Sequence, residues 1–171
     1  MLDIAYYTGQ DADPIKHKLD LYLPEGKTKF PVIMVIHGGG WVQGDKRVRK
    51  DVYGDLGRTF AKQDIGFAAI DYRLSPQFKF PAHIQDAARA FAWLHQNIQS
   101  YGGNPDRIFV MGHSAGGHLA ALLATDERWL NEQGLGLKDI RGAIPISGVY
   151  DFEALRPDWL PGHSDPLTGR M

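Results

Sequence analysis

Residues 107–124 read Arg-Ile-Phe-Val-Met-Gly-His-Ser-Ala-Gly-Gly-His-Leu-Ala-Ala-Leu-Leu-Ala, and three signals follow one another within them. Ile108 to Met111 is a short continuous apolar run, the mark of a strand buried on both faces. Gly112-His113-Ser114-Ala115-Gly116 is a Gly-x-Ser-x-Gly turn. Gly117 to Ala124 is small and apolar, and reads as a helix packed closely on a sheet. A strand that turns at once into a helix forces its apex residue into strained backbone angles. Neighbours without a β-carbon let the two elements approach. The expected result is a Ser114 hydroxyl raised clear of the sheet. The Ala115 amide, at the positive end of the new helix, points where negative charge would develop.

Working outward, the same strand pattern recurs. Val32 to Ile36 is a second buried run, and it leads into His37-Gly38-Gly39-Gly40-Trp41. Three glycines after a core strand leave backbone amides unshielded, able to face an anion or a polarised carbonyl oxygen. His37 is expected to brace this loop rather than act as a base. Trp41 is expected to shape a pocket wall, and Gly44 to Arg47 to form a solvated turn. Ile65 to Ile70 is a third buried strand and Arg141 to Ile146 a fourth. Ile4 to Thr8 is a candidate first strand. His17 to Leu23 alternates as a half-exposed antiparallel strand does.

Helical patterns lie between the strands. Val52 to Gln63 is amphipathic, although Gly54 and Gly57 weaken it. After Pro81, the residues Ile84, Ala87, Ala88, Phe91, Leu94 and Ile98 recur at helical spacing. Asp86 is placed to pair with Arg73. Asp126 to Gln133 reads as a short helix carrying Trp129, a second candidate for the pocket wall. Strands alternating with helices predict an α/β fold, a mostly parallel sheet covered on both faces, with the site at the strand C-termini. The glycine loop and Ser114 both lie at such ends.

The bulk composition is that of a globular domain. The 171 residues, 43% of them hydrophobic and 23% charged, are expected to form a single, incomplete domain. The net charge of −1 gives no reason to expect a nucleic-acid or anionic-membrane surface. The lack of cysteine excludes disulfides, a thiol nucleophile and thiolate metal sites. No apolar stretch approaches the ~20 residues of a membrane span. The N-terminal residues hold no basic region followed by an apolar run, so a cytoplasmic location is expected.

Taken together, these segments resemble the α/β-hydrolase superfamily, in the esterase branch with an HGGG-type oxyanion loop. The resemblance rests on His-Gly-Gly-Gly-Trp at 37–41, Gly-Asp-Lys-Arg at 44–47 and Asp-Tyr-Arg-Leu-Ser-Pro at 71–76. It continues through Asn-Pro-Asp-Arg-Ile at 104–108 and Gly-His-Ser-Ala-Gly-Gly-His-Leu-Ala at 112–120. The segments look like hormone-sensitive-lipase-type carboxylesterases, the feruloyl/acetyl-xylan-esterase-like group and arylformamidases; the last commonly have an aromatic residue where this chain has Gly40. The resemblance implies Ser114 as nucleophile and the amides of Gly39, Gly40 and Ala115 as oxyanion hole. His37 would support the loop, and Trp41, His113 and Trp129 would line the pocket. It further implies acyl transfer on a small ester or amide substrate, with no metal or cofactor.

In that family the triad acid and histidine lie beyond two further strands after the one at Arg141–Ile146. The chain is therefore expected to be C-terminally truncated, lacking those strands and both residues. His163 and Asp165 stand in reversed order and read as a surface turn. The Arg141–Ile146 strand should then present an unpaired apolar edge. The functional expectation is a carboxylesterase-type serine hydrolase. The alternatives are an arylformamidase-type amide hydrolase, or a non-catalytic binding module or inactive fragment. The oligomeric state is left open.

Overall fold

The computed structural model describes residues 1–151, the side chains of residues 48–50 excepted. Within them, six strands form one sheet in the order β1-β2-β4-β3-β5-β6. They are β1 Ile4–Ala5, β2 Lys18–Tyr22, β3 Phe30–Ile36, β4 Gly66–Ile70, β5 Gly103–His113 and β6 Gly142–Ile146. The helices are α1 Val48–Ala61, α2 Ala82–Asn97, α3 Ala115–Thr125 and the short α4 Arg128–Asn131. Strand β3 pairs in parallel with β4 and β5, and β5 in parallel with β6. Only the N-terminal side is antiparallel, where β2 joins β1 to β4. The mostly parallel α/β sheet predicted from the alternation of patterns is therefore present.

The period of two in each strand divides the core between two faces. Val32, Met34, Ile36, Ile70, Ile108 and Val110 meet α2 and α3 in one large buried cluster. Every member of the predicted α2 stripe is fully buried there, from Ile84 to Ile98. Ile33, Val35, Phe67 and Ala69 form the smaller cluster on the other face, packed by Tyr53 and Phe60 of α1. Each large side chain so buried contributes about 1.5–3 kcal/mol, so the α2–α3 face supplies most of the apolar stabilisation. Gly57, a weak point for a helix in isolation, is where α1 meets β2. A β-carbon there would lie 2.4 Å from the Tyr22 ring.

Five expectations are corrected. The run expected at Arg141–Ile146 forms strand β6 from Gly142, but not a buried one: Ile144 and Ile146 are 42% and 43% exposed. Among the described residues β6 is the edge strand, with β5 on one side only. Ile108–Met111 is not buried on both faces, because Phe109 and Met111 are only half-buried. Helix α1 packs against β4 and β2, and leaves that side of β5 partly uncovered. The strand at His17–Leu23 is antiparallel as expected but not half-exposed; Asp20 is fully buried and pairs with Arg47 at 2.9 Å. Its partners come from Gly44–Arg47, which is consequently no solvated turn: Lys46 is buried within 2.8 Å of Asp3 and 3.1 Å of Asp71. The first strand, expected at Ile4–Thr8, shortens to two residues.

Candidate active site

Strand β5 ends at His113 and α3 begins at Ala115, so Ser114 alone makes the reversal, at φ 56° and ψ −121°. Such angles cost a non-glycine residue on the order of 1–3 kcal/mol and persist only where packing enforces them. Here the glycines on either side show how tight that packing is. A β-carbon on Gly112 would lie 2.1 Å from the Gly116 carbonyl oxygen, and one on Gly116 would lie 2.0 Å from that of Ile36. The N-terminus of α3 is thus pressed between the ends of β3 and β5. The Ser114 N–H donates to the Ile146 carbonyl at 2.9 Å, and its own carbonyl accepts from His118 N–H at 3.0 Å. Ser114 remains half-buried, while Ala115 is buried beneath it.

The glycine loop leaves the adjacent strand β3 and folds back on itself. The Gly39 carbonyl accepts from the N–H groups of Val42 and Gln43, at 3.2 and 3.1 Å. Gly39 and Gly40 both take positive φ, 121° and 61°, and a β-carbon on Gly39 would strike the Gln43 carbonyl at 2.0 Å. The loop abuts the elbow directly. A β-carbon on Gly38 would lie 3.4 Å from Ser114 Cβ and 2.9 Å from the His113 carbonyl oxygen. The two segments that the sequence places 70 or more residues apart therefore meet at one rim of the sheet.

His37 is buried and stacks on Tyr72, with ring centroids 4.3 Å apart. Its Nδ1–H donates to the Gly38 carbonyl at 2.7 Å, and its carbonyl accepts from the Tyr72 hydroxyl at 3.0 Å. Gly44 closes the other side of the ring. Burial lowers the His37 pKa, outweighing the Gly38 carbonyl and Asp71, which act in the opposite direction. The Trp41 ring stands edge-on to His118 at 5.4 Å, and the Trp41 carbonyl accepts from Ser75 N–H at 2.8 Å. His118, like the neighbouring His83, is held below its ordinary pKa by burial. His113 is exposed beside Gly38.

Trp129 is placed differently. It packs into the main core, edge-on to Phe80 at 5.8 Å, with the Arg128 guanidinium over its ring. His163 and Asp165 lie outside the described residues. Among the described residues, no cluster of three or more His, Cys, Asp or Glu side chains is arranged to hold a metal ion. Two surface cavities of about 260 and 170 Å³ lie around Tyr7 and His17 and around Tyr6 and Arg89, away from Ser114.

Two ionic clusters are built around buried carboxylates, Asp86 in one and Asp20 with Asp71 in the other. Asp86 receives Arg73 at 2.7 Å, the pair expected from the sequence, and also His17 at 2.9 Å, which was not foreseen. Asp13 N–H donates to His17 Nδ1, so His17 directs Nε2–H at Asp86. The second cluster joins Asp71, Lys46, Asp3, Asp20 and Arg47. Burial opposes the charge of Lys46, yet Asp3, Asp71 and Asp20 together hold its pKa above the ordinary value. A lysine two residues after a glycine gives no local hint of burial; only its distant carboxylates explain it.

The family model BD-FAE matches residues 19–156, most of the chain and all of this rim. The chain belongs to the BD-FAE family. The BD-FAE chain is 41% identical over 140 residues to the "Probable carboxylic ester hydrolase LipM" of Mycobacterium tuberculosis; the match covers 77% of this chain and 31% of that protein. It is 33% identical over 149 residues to an isoprenylcysteine alpha-carbonyl methylesterase of Arabidopsis thaliana, covering 84% and 34%. Among solved structures it is similar to esterase B of Lactobacillus rhamnosis, with a TM-score of 0.65 and 29% identity over 86% of this chain and 45% of that one. A hyperthermophilic esterase from Pyrobaculum calidifontis gives the same TM-score and identity over 77% and 40%. The fold is that of the α/β-hydrolase carboxylesterases. The chain spans about a third of the length of these curated relatives.

Proposed function

We propose that the BD-FAE chain supplies the nucleophile and the oxyanion-binding half of a serine carboxylesterase acting on small carboxylic esters. Ser114 Oγ attacks the ester carbonyl carbon while its proton passes to a base. The carbonyl oxygen gathers negative charge and is met by the amides of Gly39, Gly40 and Ala115. The carbon–oxygen bond to the alcohol then breaks, the alcohol leaves with a proton, and water releases the acid from acyl-Ser114. His37 braces the loop. Trp41 and His113 border the hollow.

The observation that carries this reading is the contact of Gly38 with Ser114. It brings the start of the glycine loop beside the residue that turns at positive φ, each at the C-terminal end of a parallel strand, which supports an oxyanion role for the amides that follow Gly38. Neither His113, which is exposed, nor His118, which is seated against Trp41, is assigned the role of base. The reading places the base and its carboxylate partner outside residues 1–151. An oxyanion site working without a base retains on the order of 10³–10⁴ over water in serine hydrolases, so slow turnover is expected of these residues alone.

The test is hydrolysis of p-nitrophenyl butyrate, together with labelling by an alkyl fluorophosphonate, on parent and Ser114→Ala. Loss of both in the variant supports the reading. Equal rates from the two proteins refute it. Faster cleavage of an N-formyl anilide than of the ester would replace the ester reading by the amidase alternative.

A further inference from the structure

The glycine loop is held at its near end by β3 and by the stacked ring of His37. Its far end enters α1 through Lys46 and Arg47, and the question is what fixes that end. The β3–β4 register pairs Ile36 with Ile70, so His37 and Asp71 emerge side by side past the strand ends. Asp71 is buried, and both of its main-chain groups are engaged. Its N–H donates to the Lys18 carbonyl at 2.9 Å, and its carbonyl accepts from the Tyr6 hydroxyl at 2.8 Å. Its carboxylate is therefore presented from an immobile base.

Oδ1 of that carboxylate accepts the backbone N–H of Lys46 at 2.7 Å, and Oδ2 accepts from Lys46 Nζ at 3.1 Å. The same Oδ1 lies 4.0 Å from His37 Nε2, a buried nitrogen with no hydrogen-bond partner. One side chain on β4's end thus touches the last turn of the loop and lies against the ring that holds its first residue. We propose that Asp71 is a positioning residue: its carboxylate closes the loop of residues 37–46 and so holds Gly39 and Gly40 against Ser114. The inference rests on the reading of Ser114 and the glycine amides given above. The hydrogen bond to the Lys46 backbone carries the effect, and Lys46 Nζ serves to keep the carboxylate turned toward it. Displacement of catalytic groups by about 1 Å costs on the order of 10²-fold in rate, so a slack loop has a measurable consequence.

The test compares Asp71→Ala and Asp71→Asn. The alanine variant removes the acceptor, while Lys46 keeps Asp3 at 2.8 Å and Asp20 at 3.9 Å, so its charge stays paired. The asparagine variant keeps an oxygen at the Oδ1 position. Two readouts are taken. One is backbone hydrogen exchange at residues 38–46 against residues of β5 and α2. The other is the rate of Ser114 labelling by an alkyl fluorophosphonate, in which Oγ bonds phosphorus, fluoride leaves with the bonding pair and the serine proton passes to water.

Asp71→Ala is expected to speed exchange at 38–46 about tenfold with β5 and α2 unchanged, and to slow labelling about tenfold or more. Asp71→Asn is expected to stay within about threefold of the parent in both. Unchanged exchange in Asp71→Ala overturns the proposal, as does fast exchange with a parental labelling rate. A tenfold loss in Asp71→Asn also overturns it, and does so even if Asp71→Ala does not fold. Labelling that survives Ser114→Ala would instead sink the reading of Ser114, and the exchange data would still decide whether Asp71 holds the loop.

Discussion

The elbow offers a perturbation whose size follows from the coordinates. Adding a methyl group at Gly116 places a carbon 2.0 Å from the Ile36 carbonyl oxygen and 2.6 Å from that of His37. Both obstacles are backbone, at the end of β3 and in the residue after it, and β3 is held by strands on either side, so neither can swing away as a side chain could. Restoring ordinary contact requires α3 to withdraw by about 1.5 Å. Overpacking of this kind costs typically about 1–3 kcal/mol, and with backbone in the way the upper end applies. Alanine recovers up to about 1 kcal/mol of helix propensity over glycine, so the expected net loss for Gly116→Ala is about 1–2 kcal/mol. Urea unfolding followed by circular dichroism measures it. The same withdrawal carries the Ala115 amide and the Ser114 backbone away from the glycine loop, so fluorophosphonate labelling should fall at least about tenfold. Gly136→Ala is the control: φ is −140° and none of the described residues lies within 4 Å of the added carbon, so stability should hold or rise slightly. A Gly116→Ala protein as stable and as readily labelled as the parent would refute the claim that α3 sits hard against β3.

Two further outcomes follow from the buried ionic groups. Replacing Asp86 with alanine takes the buried acceptor from His17 and leaves Arg73, among the described residues, only the exposed Asp11 at 3.6 Å, and should cost about 3 kcal/mol, read as a lower urea midpoint; a loss under 1 kcal/mol would mean the cluster is not sealed from water. The second concerns pH. His37, His83 and His118 all have folded pKa values lowered by burial from 6.5. The unfolded chain therefore binds protons first, so their contribution is intact above about pH 6.5 and declines as pH falls through the folded values. Thermal unfolding should move to lower temperature between pH 7.5 and 5, and a flat profile over that range would contradict the burial of these rings.

Much of this arrangement is legible in the residues themselves. Ile84, Ala87, Phe91 and Leu94 face the core because their spacing permits only one buried side. Gly112 and Gly116, on either side of Ser114, announce a sharp strand-to-helix turn because no side chain fits where they stand. Lys46 and Asp20 misled, since charged residues beside turns and in alternating strands are usually solvated. Their burial depends on each other and on Asp3 and Asp71, which no local window contains. Ile144 and Ile146 misled in the opposite direction. Their apolar run describes a core strand, but exposure depends on what lies beside β6, which the run does not encode.

What the amino-acid order determined by itself was therefore the kind of each element and the strain stored at Ser114, because both arise from sterics within a few residues. What only the tertiary structure decided was the meeting of Gly38 with Ser114, and the closing of the glycine loop on Asp71. Those contacts join segments far apart along the chain. They are set by strand order and register, quantities that exist only once β3, β4 and β5 lie side by side.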